Sequence, residues 1–236
     1  MKAATLAALV AARAGKAHAA LVTDLDSGAQ ALLAPGAPEG DLDVGDALRL
    51  FVENARADDK SMPVEIGDRR YFIQVFNPPR RMIVVGAVHI TQVLAPMAAM
   101  AGYAVTVVDP RGAFATAARF PGVELNTEWP DDALEALDID RRTAVVTLTH
   151  DPKLDDPALN VALGKEPFYI GALGSKRTHA RRVERLREAG FGDADIARIH
   201  APVGLDIGAV SPAEIALSIL GQMTEILHRK PPRAAA

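Results

Sequence analysis

Past two consecutive prolines, Pro78 and Pro79, the chain carries four short runs rich in valine and isoleucine: MIVVG, AVTVVD, TAVVTLT and PFYIGAL. Unbroken apolar runs of this length suit strands buried on both faces. Helical segments separate the first two runs and the last two. That rhythm predicts a parallel sheet with helical crossovers, an α/β domain whose crossovers are right-handed.

The residues before the prolines read differently. A helix is expected over about 3–14, then a hairpin through LVTDLDSGAQALLAP with its turn at Asp26-Ser27-Gly28. A short helix over 44–57 and a second hairpin around Gly67-Asp68 follow. The expectation is a small α+β domain at 1–77 and a Rossmann-like domain at 80–236, since paired prolines make a stiff break. The last helix carries its own start signal, Ser211 as N-cap, Pro212 at N1 and Glu214 at N3. Ile215, Ile219, Met223 and Ile226 then form a core-facing stripe.

In an open parallel sheet, ligands sit beyond the carboxyl ends of the strands, so the loops there are the candidate site. The first, GAVHIT, keeps Gly86 for the tight turn but places Val88 and Thr91 where a dinucleotide fingerprint has glycines. Val88 obstructs pyrophosphate, so NAD(P) is not the favoured ligand; an NAD(P)-dependent oxidoreductase and a partner-binding module with a closed pocket stand as the alternative readings. His89 lies at the helix start, as a cap-region residue or a site residue. Pro96 is expected to kink the following helix or delay its start. The second loop opens with Asp109, near the roughly 20-residue spacing at which an acid binds a ribose hydroxyl; the alternative is a loop cap. Arg111 either meets a phosphate or pairs with Asp109.

The third loop crowds His150, Asp151, Lys153, Asp155 and Asp156 together, stiffened by Pro152 and Pro157. Such a loop reads as a binding element or as a capping cluster for a helix from PALNVALG. The fourth, GALGSKR, offers Gly171 and Gly174 for close backbone approach, Ser175, Lys176 and Arg177, and a helix N-terminus. That combination is the strongest anion site in the chain. The later arginines, Arg181, Arg182, Arg185 and Arg187, are expected to form a solvated face. A final loop brings Asp206 between Gly204 and Gly208, with His200 either facing the crevice or buried.

Composition removes several classes. The net charge of −4 gives no electrostatic case for nucleic acid. No cysteine is present, which excludes thiolate nucleophiles and cysteine-based metal sites. The first twenty residues have a lysine and an apolar run like a secretory leader, but Arg13 interrupts it, and an amphipathic helix is expected. No run approaches the roughly 20 residues of a membrane span, and a cytoplasmic address is expected.

Taken in order, VVGAVHITQVLAPMA, VTVVDPRGAFATAARFP, TLTHDPKLDDPAL, FYIGALGSKRTHARRVERL and RIHAPVGLDIGAVSPAEIALSI resemble the C-terminal domain of the xanthine dehydrogenase accessory protein family (XdhC/CoxI). The resemblance covers about Arg81 to Leu227. It implies a chaperone rather than a catalyst: binding of molybdenum cofactor, as molybdopterin or its dinucleotide form, during sulfuration by a partner, then delivery to a molybdenum hydroxylase apoenzyme. It implies a cysteine desulfurase or cofactor-biosynthesis enzyme as a second partner. With the apolar last helix it also implies a homodimer. The implied binding residues are Gly86, His89, Asp109, Arg111, His150, Asp151, Lys153, Gly171, Gly174, Ser175, Lys176, Arg177 and Asp206. Two departures stand out. The family turn is Gly-Ala-Gly-His, with Val88 here in place of its second glycine. Residues 1–77 also lack the family's Gly-Ser-x-Pro-Arg and Gly-Gly-Cys segments.

Overall fold

The computed structural model describes residues 1–35 and 39–229; the PPRAAA tail lies outside them. The chain divides into two compact units, Met1–Pro78 and Pro79–Ala236. In the first, α1 (Ala3–Ala14) precedes β1 (Ala19–Asp24), β2 (Gln30–Leu33) and β3 (Glu39–Gly40), and α2 (Asp46–Ala57) precedes β4 (Met62–Ile66) and β5 (Arg69–Phe76). The strands form an antiparallel sheet in the order β3-β2-β1-β5-β4. Ala20, Val22, Tyr71 and Ile73 pack there against Leu48, Val52 and Ala55 of α2.

The second unit holds β6 (Arg80–Val85), α3 (His89–Met100), β7 (Tyr103–Val108), β8 (Glu124–Asn126), α4 (Pro130–Ala136), β9 (Thr143–Thr147), α5 (Pro152–Gly164), β10 (Tyr169–Ala172), α6 (Lys176–Glu188), α7 (Asp193–Ile196), β11 (Ile199–His200) and α8 (Pro212–His228). Its six strands are parallel, in the order β11-β10-β9-β6-β7-β8. Counted from β6, this is the doubly wound Rossmann order, and the switch point falls between β6 and β9. Burial on two faces explains the unbroken apolar runs. Met82, Val84, Ala144 and Val146 face α3 and α8, through Leu94, Ala98, Ile219 and Met223. Ile83, Val85, Val145 and Ile170 face the other layer, through Leu134, Leu159 and Leu186. The last helix starts as its cap residues dictate: Ser211 Oγ accepts from the Glu214 N–H and Glu214 Oε2 from the Ser211 N–H. Among the described residues, no helix is long and apolar enough to cross a membrane.

Of the two outcomes open for Pro96, the late start is excluded, since α3 begins at His89 and runs through it. Two expectations need correction. The third loop is short, because Asp151 caps α5 at Pro152; Lys153, Asp155 and Asp156 are helical and Pro157 lies inside the helix. The later arginines do not form one solvated face, since Arg182 is among the largest fully buried side chains.

Candidate functional site

At the switch point the turn after β6 meets the turn after β9. Gly86 is buried at φ +115°, and a Cβ there would lie 2.7 Å from Thr149 Cγ2 and 3.3 Å from Thr149 N. Only glycine fits this conformation and this approach without strain. Gly86→Ala is therefore expected to cost the second unit about 2–3 kcal/mol, from left-handed strain plus overpacking. Thermal unfolding checks this. Thr149→Ser removes the clashing methyl and is expected to recover part of the loss, and an unshifted midpoint in Gly86→Ala alone would contradict the packing argument. Val88 is the uncapped N-cap of α3, His89 is exposed beside it, and Thr91 is buried with its hydroxyl donating to Gly86 O. The larger third position is thus used to brace the turn.

Asp109 is buried at the end of β7. Its Oδ1 accepts from the Arg111 N–H (3.0 Å) and Arg111 Nε (2.8 Å), and its Oδ2 from the Ala87 N–H (2.8 Å) and Arg111 Nη2 (2.7 Å). Four donors fill a carboxylate, so none of its acceptor positions remains for a ribose hydroxyl. Burial works to raise this carboxyl, but Arg111 and the Ala87 N–H together hold it below the usual range. Of the two readings open for Asp109, the loop cap matches this geometry, and of the two for Arg111, the pairing. Arg119, which sequence reasoning passed over, straps the same region: it donates to Ala87 O (2.9 Å), Phe114 O (2.8 Å) and Gln92 Oε1 (3.0 Å).

At the end of β9, His150 is exposed with φ +61°, a left-handed turn that carries the chain into α5. Such a conformation is uncommon for a residue with a Cβ. Asp151 accepts from the Lys153 N–H (3.0 Å), and Lys153 is exposed. Asp155 turns inward, where Oδ1 accepts from Thr149 Oγ1 (2.6 Å) and Oδ2 lies 3.7 Å from Arg182 Nη2. Both side chains of that pair are 2% exposed. Burial pushes the Asp155 carboxyl above its usual range, against the pull of Thr149 and Arg182. Arg182 Nη2 also donates to Leu173 O (2.9 Å), so the pair ties α5 and α6 to the ends of β9 and β10. Its signal was present in the sequence: Ser175, His179, Arg182 and Leu186 recur at helical spacing, and Leu186 is core.

The fourth turn brings Gly174, Ser175, Lys176 and Arg177 together, whereas Gly171 lies inside β10, buried against Val203 and Tyr169 rather than open to a ligand. A Cβ on Gly171 would meet Val203 Cγ2 at 2.6 Å, and Gly174 adopts φ +140°. Ser175 caps α6, accepting from the Thr178 N–H at 3.1 Å. Lys176 and Arg177 follow on the first turn, both exposed. Their N–H groups are among the donors that an α-helix leaves unpaired at its start. Beyond β11, Gly204 is held by Gln222, whose Oε1 also accepts from Tyr169 OH (2.6 Å). His200 stacks on Tyr169 at 5.0 Å, half-buried, and burial lowers its pKa. Asp206 is exposed on the following loop. Among the described residues no group of three or more acidic, histidine or cysteine side chains is placed to hold a metal ion.

The XdhC Rossmann domain model matches residues 82–223. A crystal structure of a xanthine dehydrogenase from Bacillus halodurans superposes with a TM-score of 0.72 at 25% identity, covering 91% of this chain and 63% of that one. The molybdenum cofactor insertion chaperone PaoD of Escherichia coli K12 is 33% identical over 156 residues, 66% of this chain and 43% of that protein. A probable xanthine dehydrogenase subunit from Bacillus subtilis 168 is 35% identical over 159 residues, 67% of this chain and 46% of that protein. The matched segment therefore spans less than half the length of these two curated relatives.

Proposed function

This chain belongs to the XdhC Rossmann domain family, and on that premise we propose that it holds molybdenum cofactor as cargo and supports its insertion into a xanthine dehydrogenase-type apoenzyme. The observation that carries the reading is an exposed cationic helix start, Ser175-Lys176-Arg177, at the carboxyl edge of this family's sheet. A phosphate of the cargo tail is accepted there by α6 N–H groups and two cations, and buried Gly174, at φ +140°, makes the turn into the helix. Gly86 keeps the turn after β6 thin, and Gly171, inside β10, leaves room for Val203 and Tyr169 to pack. His89, Arg111, His150, Asp151, Lys153 and Asp206 complete the proposed site, and Asp109 acts through Arg111. Support for the cargo comes from PaoD, named as a molybdenum cofactor insertion chaperone.

The chain's own chemistry is binding and release. With no cysteine, it leaves sulfuration to a desulfurase or cofactor-biosynthesis partner acting while the cargo is held. We extend the proposal to a homodimer as the carrying form. The test is expression with active pterin biosynthesis, followed by fluorescence of pterin released from the purified protein. Pterin approaching one per chain, and reconstitution of a xanthine dehydrogenase-type apoenzyme by the loaded protein, are expected. Pterin-free protein under those conditions contradicts the reading.

A further inference from the structure

We propose that the turn after β7 is a stacking subsite for the nucleobase of a nucleotide-tailed cargo, with Phe114 as its platform and Arg111 as its phosphate partner. Naming the cargo rests on the preceding proposal; the subsite itself rests on the geometry. Phe114 is 47% exposed, whereas its neighbours Ala115 and Phe120 are buried in a small core with Ala87 and Val107. The fold thus uses the flanking residues and leaves this ring out. Gly112 and Ala113, small and exposed, keep its surroundings open.

The ring is nevertheless held in a fixed frame. Arg119 straps its backbone to the turn after β6, through Phe114 O and Ala87 O. Arg111 is clamped on buried Asp109. The Arg111 guanidinium carbon lies 4.9 Å from the Phe114 centroid and that of Arg119 lies 5.9 Å away. Arg111 spends Nε and Nη2 on Asp109, and its Nη1 has no hydrogen-bond partner among the described residues; the side chain is 39% exposed. One turn therefore offers a part-exposed aromatic ring flanked by two guanidinium groups, and a charged donor. A base stacks on the first while its phosphate meets the second. Aliphatic neighbours would favour an apolar protein contact; here they are guanidinium groups.

The position also fits a ligand with two ends. The turn after β7 lies three strands from the turn after β10, on the other side of the switch point. Three inter-strand gaps amount to roughly 14 Å. A cargo whose phosphate is gripped near Lys176 reaches Phe114 only if it carries a nucleotide extension.

The experiment is calorimetric titration of the full chain with cytidine 5′-diphosphate and guanosine 5′-diphosphate, with ribose 5-phosphate as the base-free probe. The nucleoside diphosphates are expected to bind at least tenfold more tightly than the sugar phosphate. Phe114→Leu, at an exposed position that leaves folding intact, is expected to lose about tenfold for the nucleotides only, and Phe114→Trp to keep their affinity. Equal affinity for the base-free probe, or unchanged nucleotide affinity in the leucine variant, overturns the proposal. So does a leucine variant that loses apoenzyme binding while retaining nucleotides, which assigns the ring to a protein partner. Free nucleotides report on the subsite whether or not pterin co-purifies, so failure of the cargo reading is separately visible.

Discussion

Arg182→Met is expected to lower the stability of the second unit by about 3–5 kcal/mol at neutral pH, because it strands a buried carboxylate. Asp155 and Arg182 are each 2% exposed, and among the described residues no other cation forms an ion pair with Asp155. The methionine fills a similar volume, so the loss reports charge rather than a cavity. The pH dependence has a definite sign. Burial already raises Asp155 above its unfolded value, and losing Arg182 raises it further. A raised carboxyl favours the folded state when protonated and disfavours it as pH climbs through its folded pKa. The variant's deficit is therefore largest at neutral pH and narrows on acidification. His179, held low by burial and by Arg182, acts in the same direction, since it protonates more easily in the variant. Asp155→Asn combined with Arg182→Met is expected to recover much of the loss and most of the pH dependence. Urea unfolding, followed by far-UV dichroism and by the chain's single tryptophan, Trp129, checks this. A single variant as stable as the wild type at pH 7 would mean that the pair contributes nothing.

The second large effect is on cargo. Replacing Lys176 and Arg177 together by alanine removes two exposed cations from the start of α6. Charge-assisted hydrogen bonds contribute about 1.5–3 kcal/mol each, so losing two is expected to weaken retention of a phosphate-bearing cargo by at least about 100-fold. Alanine is a strong helix former, and Ser175 still caps the helix, so the fold should persist. Added salt is expected to weaken retention in the wild type and to change the double variant little. Arg181→Ala, also exposed but further along the helix, serves as the control and should retain cargo.

The central strands were legible because burial on both faces leaves long unmixed apolar runs, as in Met82 through Val85. The edge strands were not. β8 has three residues and β11 two, too few to carry a period. The start of α5 is ambiguous in the sequence for a different reason. The chain offers the same cap-and-proline pair twice, at Asp151-Pro152 and Asp156-Pro157, and the first prevails. Leu154 and Ala158, one turn apart, are then both buried in the sheet's core. In the candidate site, the sequence located Asp109 but could not tell which way its oxygens face; the Ala87 N–H and Arg111 decide that. Charged neighbours make Arg182 look like a surface residue in the sequence. Its helical register with Leu186 carried more information than its charge, and the matching acid sat 27 residues earlier, on another helix.

The account turns on an anionic tail gripped where α6 begins. Pterin released per chain, measured by fluorescence after expression with active cofactor synthesis, tests it most directly in the wild type, the Lys176→Ala/Arg177→Ala variant and the Arg181→Ala control. Near-stoichiometric pterin in the first and third, with little in the second, is the predicted result. Equal pterin in all three would place the grip elsewhere in the molecule.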